Sequence, residues 1–320
     1  MKKQQIKQAF EKSMNLKAKS VNLLGKGVSN VNYLIKAGGK KFVFRIDARA
    51  ANQNSKKLKK EFNSLKAIEK LNIGPKPFFL GKNFLILGYI EGKPFTGKKI
   101  TAKFLKELAQ LVSKIHSLKP PSEIPREWND LRNSSINEYL KYLKKHLKSK
   151  ILFEILLNSK EKLKKKQKIL EKLKRTEVIT HGDICEQNVL QTSKGLALID
   201  FEDVAIKDSA AEIAKIFVDF KEPFNKTQQK IFLNEYYKIR KDKDFKKKIK
   251  LYELFIIYEI LLFCIWYILK LKNKEMHNAF LNKTEMRKGF DYAETMFKRA
   301  IKFKIISNKY SKFNLIKILK

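Results

Sequence analysis

The chain has 320 residues and sets 71 Lys+Arg against 32 Asp+Glu, a formal net charge of +39. Its 43% hydrophobic content, with 23 Phe and 11 Tyr, is ample for a core and excludes a disordered basic tail. Only eight of the basic residues are Arg, the type that base reading and bidentate phosphate contacts favour, and the lysines alternate with Leu, Ile and Phe at helical spacing; the charge therefore reads as solvated helix faces, not a nucleic-acid surface.

Alternating apolar positions predict strands at 21–24, 32–36 and 41–46, the last two joined by a turn at Ala37, Gly38 and Gly39. Leu58, Phe62, Leu65, Ile68 and Leu71 then recur at helical spacing over about 55–71, with Gly74 and Pro75 as the stop. A short hairpin, 78–80 with 84–87, follows. Glu91-Gly92-Lys93-Pro94 marks a break, which divides the chain into lobes 1–91 and 92–320.

Beyond the break the pattern turns helical. Phe104, Leu105, Leu108, Leu111, Val112 and Ile115 form one stripe that ends near Pro120 and Pro121, and Lys-rich amphipathic segments occupy 136–175. Inside this helical half lies one β-rich island, 178–180 and 189–191, a turn at 192–195, and 196–199; helices resume from about 210. The apolar run 254–269 contains Glu259 and is short for a membrane span, so it reads as a buried helix. The charged N-terminus lacks the apolar stretch of a secretory signal, and Cys185 and Cys264 make neither a disulfide framework nor a zinc site, which fits a reducing, cytoplasmic setting.

Chemistry concentrates in the island. It carries His181-Gly182-Asp183-Ile184-Cys185-Glu186-Gln187-Asn188 and, after the turn, Asp200-Phe201-Glu202. Upstream, Gly25-Lys26-Gly27-Val28-Ser29-Asn30 joins the first two strands, and Phe42-Val43-Phe44-Arg45 ends the third. Two glycines let backbone N–H groups approach a phosphate, Ser29 adds a hydroxyl donor, and the planar fork of Arg45 suits phosphate oxygens. Glu61, on the following helix, is the expected ion-pair partner of Arg45.

This ordered set resembles the catalytic and metal loops of the protein-kinase-like fold. Gly182, Glu202 and the arginine at 45 make it similar to the aminoglycoside phosphotransferase and choline kinase family rather than to protein kinases. The resemblance covers residues 20 to about 220 and implies an α+β, bilobal protein-kinase-like fold, with a small β-rich N-lobe that binds nucleotide and a larger, mainly helical C-lobe. It implies Asp183 as the catalytic residue that orients the acceptor hydroxyl. Asn188, Asp200 and Glu202 are implied as ligands of Mg²⁺, which favours hard oxygens and few protein contacts. Gly25, Gly27, Ser29, Arg45, Glu61, Leu87 and Tyr89 are implied to hold ATP, the last two at a hinge formed with Gly88 and Ile90. His181 is expected to brace the catalytic loop, and Glu212 to brace it from a helix start.

The implied activity is ATP-dependent phosphorylation of a small alcohol of the choline or ethanolamine type. Other hydroxyl substrates, thiamine, an aminoglycoside or a sugar, remain open, as does a basic protein- or RNA-associated kinase. Glu259, Phe263 and Trp266 fall at i, i+4 and i+7, one helix face with an acid beside aromatics, which suits a cationic alcohol. A core helix whose Glu259 meets a polar partner is the competing reading. No transmembrane segment and no nucleic-acid partner are expected; the basic exterior suits peripheral contact with acidic surfaces.

Overall fold

The computed structural model describes residues 1–26, 30–47, 56–120, 122, 124–273, 275 and 283–319. In chain order the elements are α1 (Lys3–Met14), β1 (Ala18–Lys26), β2 (Asn30–Ala37), β3 (Lys40–Asp47), α2 (Lys56–Ile68), β4 (Pro77–Leu80), β5 (Phe84–Gly88), β6 (Lys93–Pro94), α3 (Ala102–His116), α4 (Ser134–His146), α5 (Lys150–Glu171), β7 (Glu177–Thr180), β8 (Val189–Thr192), β9 (Gly195–Leu198), β10 (Ala205–Asp208), α6 (Ser209–Asp219), α7 (Lys226–Tyr236), α8 (Phe245–Lys272), α9 (Lys283–Lys302) and α10 (Leu315–Leu319). A β-sheet N-terminal region thus precedes a mainly helical C-terminal region, an α+β arrangement.

Packing groups the residues into two compact units. One comprises Met1–Arg126, Glu177–Ile206 and Phe224–Lys241, the other Glu127–Thr176, Lys207–Pro223 and Asp242–Lys320. A single cut at residue 91 does not separate them. Lys93 and Pro94 pair with Gln191 and Leu190, and α3 packs on β7, β9 and α7, which ties residues up to Arg126 to the sheet-bearing unit.

In the first unit an antiparallel sheet runs in the order β1-β2-β3-β5-β4. The β2–β3 turn uses positive φ at Gly38 (54°) and Gly39 (72°), the left-handed pair that suits a two-residue hairpin. Strand alternation gives the sheet two faces. Ile35, Phe42, Phe44, Ile46 and Ile86 line one, and Ile6 and Phe10 of α1 close over them. Ile6 and Phe10 are fully buried, a contribution of about 2 kcal/mol each. The sequence reading did not anticipate α1, whose apolar signal is little more than that i, i+4 pair among charges. On α2, Leu58, Glu61, Ser64, Leu65 and Ile68 share the buried face, so the acid at 61 points inward with the apolar stripe. Asn72, left-handed at φ 53°, caps the 3-10 turn at Glu69–Leu71 and ends the helical segment before Gly74 and Pro75 are reached.

The second unit is organised around α8, which packs against α4, α5, α6 and α9. It is long and apolar enough to cross a membrane by length and composition alone, but Phe255, Ile257, Tyr258, Leu261, Leu262, Ile265 and Ile268 are buried within the protein. An all-round apolar helix is what a core position requires. On α5, Leu163, Gln167 and Leu170 are buried while Lys162, Lys164, Lys165, Lys166 and Lys168 are exposed, so here the lysines are a solvated face. Lys248 and Lys207 are buried exceptions, and Lys248 is the more enclosed. Wholly buried, Lys248 donates to Asp208 Oδ1 at 3.0 Å, the Lys174 carbonyl at 3.1 Å and Thr176 Oγ1 at 3.4 Å.

Candidate active site

The β8–β9 hairpin explains the spacing of its acidic and amide residues. Val189 pairs with Leu198 and Thr192 with Gly195, and the Ile199 N–H donates to the Asn188 carbonyl at 3.0 Å. Asn188 and Asp200 therefore emerge together at the open end of the hairpin. Asn188 then turns its amide back: Nδ2 donates to Asp183 Oδ2 at 2.8 Å and to the Asp183 carbonyl at 2.9 Å. That orientation leaves Asn188 Oδ1, a neutral oxygen, outside the pair.

Two features hold this loop. Gly182 has φ 87°, and a Cβ there would lie 2.2 Å from the Asp203 carbonyl oxygen, so a side chain is excluded on conformation and on space. His181, fully buried, accepts from the Asp183 N–H at Nδ1 (3.2 Å), which makes Nε2 the donor to the Ile199 carbonyl at 3.0 Å. The imidazole braces the hairpin and packs on Phe201.

Arg45 lies on the sheet face opposite α1 and is 6% exposed. Its Nη1 donates to Glu61 Oε1 at 2.5 Å and to Asp200 Oδ1 at 2.9 Å, and its Nε donates to Asn32 Oδ1 at 3.0 Å. Burial works against its charge, but Glu61 and Asp200 outweigh it, and the guanidinium pKa is raised. Burial lifts the Glu61 carboxyl above the usual carboxylate range while Arg45 pulls it down. Among the described residues Glu61 Oε2 is buried with no hydrogen-bond partner. Asp200 is left-handed at φ 68°, and its side chain is 35% exposed, in contrast to the sealed Glu61.

Glu202 joins the same group. Its Oε2 accepts from Asn30 Nδ2 at 2.9 Å, and burial, then the Asp200 charge, raise its pKa. The site thus gathers Arg45, Glu61, Asn188, Asp183, Asp200 and Glu202 within the sheet-bearing unit. Among the described residues no group of three or more His, Cys, Asp or Glu converges as a metal cage. The motif offers a different donor set, one amide and two carboxylates.

The nucleotide-loop residues divide. Gly27 and Ser29 lie outside the described residues. Gly25 pairs with Asn32 at the end of β1, and a Cβ there would meet nothing within 4 Å, so packing does not require glycine at this position. At the hinge, Leu87 is buried in register with Val43, and the N–H groups of Gly88 and Tyr89 already donate to the carbonyls of Lys76 and Lys41. Backbone accounting moves the next available donor to Ile90, a residue the sequence reading placed at the hinge but did not single out. Tyr89 and Ile90 line a cavity of about 420 Å³ with Phe42, Lys76 and Phe78, which shares no lining residue with the Asp183 group. The reading also missed Asn30 and Asn32 as site residues, whose signal was polar side chains at alternate positions at the start of strand β2.

In the helical unit, Asn133 Nδ2 donates to Glu259 Oε1 at 2.7 Å, the polar partner of the competing reading. Burial raises the Glu259 pKa, against the pull of Lys207 and Lys215. Aromatics do cluster on this face: Tyr139 lies 5.3 Å from Trp266 and 6.0 Å from Phe263. Glu212, in the first turn of α6, is 4% exposed; nearby the Asp208–Lys248 pair is the fully buried one.

A family model described as the phosphotransferase enzyme family matches residues 20–245. No curated protein sequence matches the chain. Among solved structures the chain is similar to the choline kinase LicA from Streptococcus pneumoniae, with TM-score 0.69, 19% identity, and 94% of this chain and 97% of that one covered. It is also similar to an ethanolamine kinase from Plasmodium vivax (TM-score 0.65, 18% identity, 89% and 83% covered). A spectinomycin phosphotransferase solved with ADP and spectinomycin gives TM-score 0.69 at 13% identity, with 96% and 99% covered. At these identities the likeness carries the fold, and the family model carries the class. The chain belongs to the phosphotransferase enzyme family and is a kinase-fold phosphotransferase that acts on a hydroxyl.

Proposed function

We propose that this protein transfers the γ-phosphate of ATP to the hydroxyl of a small amino alcohol, choline or ethanolamine being the acceptors of first choice. The observation that carries the reading is the pair of linked contacts around one hairpin, Asn188 on Asp183 and Arg45 on both Glu61 and Asp200. Phosphoryl transfer asks the protein for positioning and charge stabilisation more than for covalent chemistry, and these contacts supply both kinds of group. AMP and ADP accompany two of the similar structures, which supports an adenine nucleotide here.

In this reading Asp183, held by Asn188 and by its own N–H to His181, orients the acceptor hydroxyl and accepts its proton. Arg45 meets the nucleotide phosphates, and Ile90 and Tyr89 border the adenine. The donor set fits a hard divalent cation: Asn188 Oδ1 is left over by the amide contact, Asp200 is partly exposed, and Glu202 uses only one oxygen on Asn30. Asn188, Asp200 and Glu202 would hold Mg²⁺, which when bound neutralises phosphate charge. The choline and ethanolamine kinases among the similar structures support an amino alcohol as the acceptor.

The test is ADP release by the purified chain with ATP, Mg²⁺ and a panel of alcohols. Turnover with choline or ethanolamine is expected. Turnover confined to thiamine, an aminoglycoside or a sugar overturns the acceptor assignment.

A further inference from the structure

Arg45 is bound at two of its three nitrogens. Nε donates to Asn32, Nη1 donates to Glu61 and Asp200, and Nη2 has no hydrogen-bond partner among the described residues. A guanidinium is planar, so fixing Nε and Nη1 also fixes the direction of Nη2. The two carboxylates anchor the group at Nη1 through charge-assisted hydrogen bonds. The Nε contact fixes it at a second nitrogen, so that its direction does not rest on Nη1 alone.

Asn32 reaches Nε because of strand register. Residues 32 and 45 are direct cross-strand partners in the β2–β3 ladder, with side chains on the same face. Asn30, two residues earlier on that face, holds Glu202. Strand β2 therefore supplies one amide to the basic group of the site and one to an acidic group. The Nε contact also needs arginine, since lysine has no donor at that point of its side chain.

We propose that Asn32 is a positioning residue that aims Arg45 Nη2 at the nucleotide phosphates, so that Asn32 and Arg45 act as one unit. The inference rests on the assignment of Arg45 to those phosphates. Loss of Asn32 leaves the charge of Arg45 in place but not its direction.

The test measures ADP binding by calorimetry on the full chain for the wild type, Asn32→Ala, Arg45→Ala, Arg45→Lys and the Asn32→Ala/Arg45→Lys double variant. Asn32→Ala is expected to weaken ADP binding about tenfold, the loss expected for a hydrogen bond to a charged group. In the Arg45→Lys background the same change should add no more than about twofold, because the donor it served is already gone. In turnover, Asn32→Ala should raise KM for ATP more than it lowers kcat. Asn32→Val, with its higher strand propensity, takes the place of Asn32→Ala if the alanine variant does not fold.

Wild-type affinity in Asn32→Ala, or losses that multiply in the double variant, overturns the inference while leaving Arg45 as a phosphate ligand. A wild-type chain that binds no ADP, or Arg45→Ala with undiminished affinity, overturns the Arg45 assignment and the inference with it.

Discussion

Glu253 lies on α8 and is 7% exposed, with Lys250 acting in favour of its charge. Burial pushes its carboxyl from the ordinary 4.5 up to about 7. A group with a folded pKa above its unfolded one binds its proton more tightly in the native state. Below about 4.5 it is neutral in both states and costs nothing; as pH rises toward 7 the unfolded chain ionises first, and stability falls until the native carboxylate ionises as well. At about 1.4 kcal/mol per tenfold change in the proton equilibrium, the full penalty above pH 7 is about 3 kcal/mol. Glu253→Gln removes it. The variant should match the wild type near pH 4.5 and unfold roughly 5 °C higher at pH 8, since about 3 kcal/mol spread over the unfolding entropy of a chain this size shifts the midpoint by that much. Thermal or urea denaturation of both proteins across pH 4.5 to 8 checks it. A Glu253→Gln variant no more stable than wild type at pH 8, or a difference that does not grow with pH, would refute the reasoning.

Three further outcomes concern the site. Asp183→Asn should lower kcat by about 10²–10⁴-fold, the range for loss of a general base, with ADP affinity in calorimetry near wild type. Gly182→Ala forces a left-handed residue and places a Cβ 2.2 Å from the Asp203 carbonyl oxygen, so urea denaturation should register a loss of about 3 kcal/mol, and kcat should fall with the displaced Asp183. Glu61→Gln leaves Arg45 buried with Asp200 as its remaining charged partner; stability should drop by about 3 kcal/mol, with weaker ADP binding in the same preparation.

These effects stem from residues that different levels of structure put in place. Gly182 answers to a local conformation, Glu61 to a helix face, and Asn32 to a strand register. Each is a distinct way for a residue to serve the same chemistry.

Local patterns were enough for much of this. The strands of the sheet, the α2 stripe and the His181 to Glu202 motif are short-range signals, because hairpin pairing and helical periodicity are set by near neighbours. The link of Glu61 to Arg45 was expected from the family resemblance, which pairs the basic residue of the third strand with an acid on the following helix. Tertiary structure alone decided the rest. The two apolar contacts of α1 acquire meaning only once a sheet face exists to be covered. The Arg45–Asp200 contact joins residues 155 apart in sequence, and the Asn30–Glu202 contact residues 172 apart, so neither has a local signature. The hinge donors could not be assigned before register showed Gly88 and Tyr89 bonded to Lys76 and Lys41. The motif named the charged groups; their directions came from long-range pairing, which depends on how the chain closes and not on what stands beside each residue.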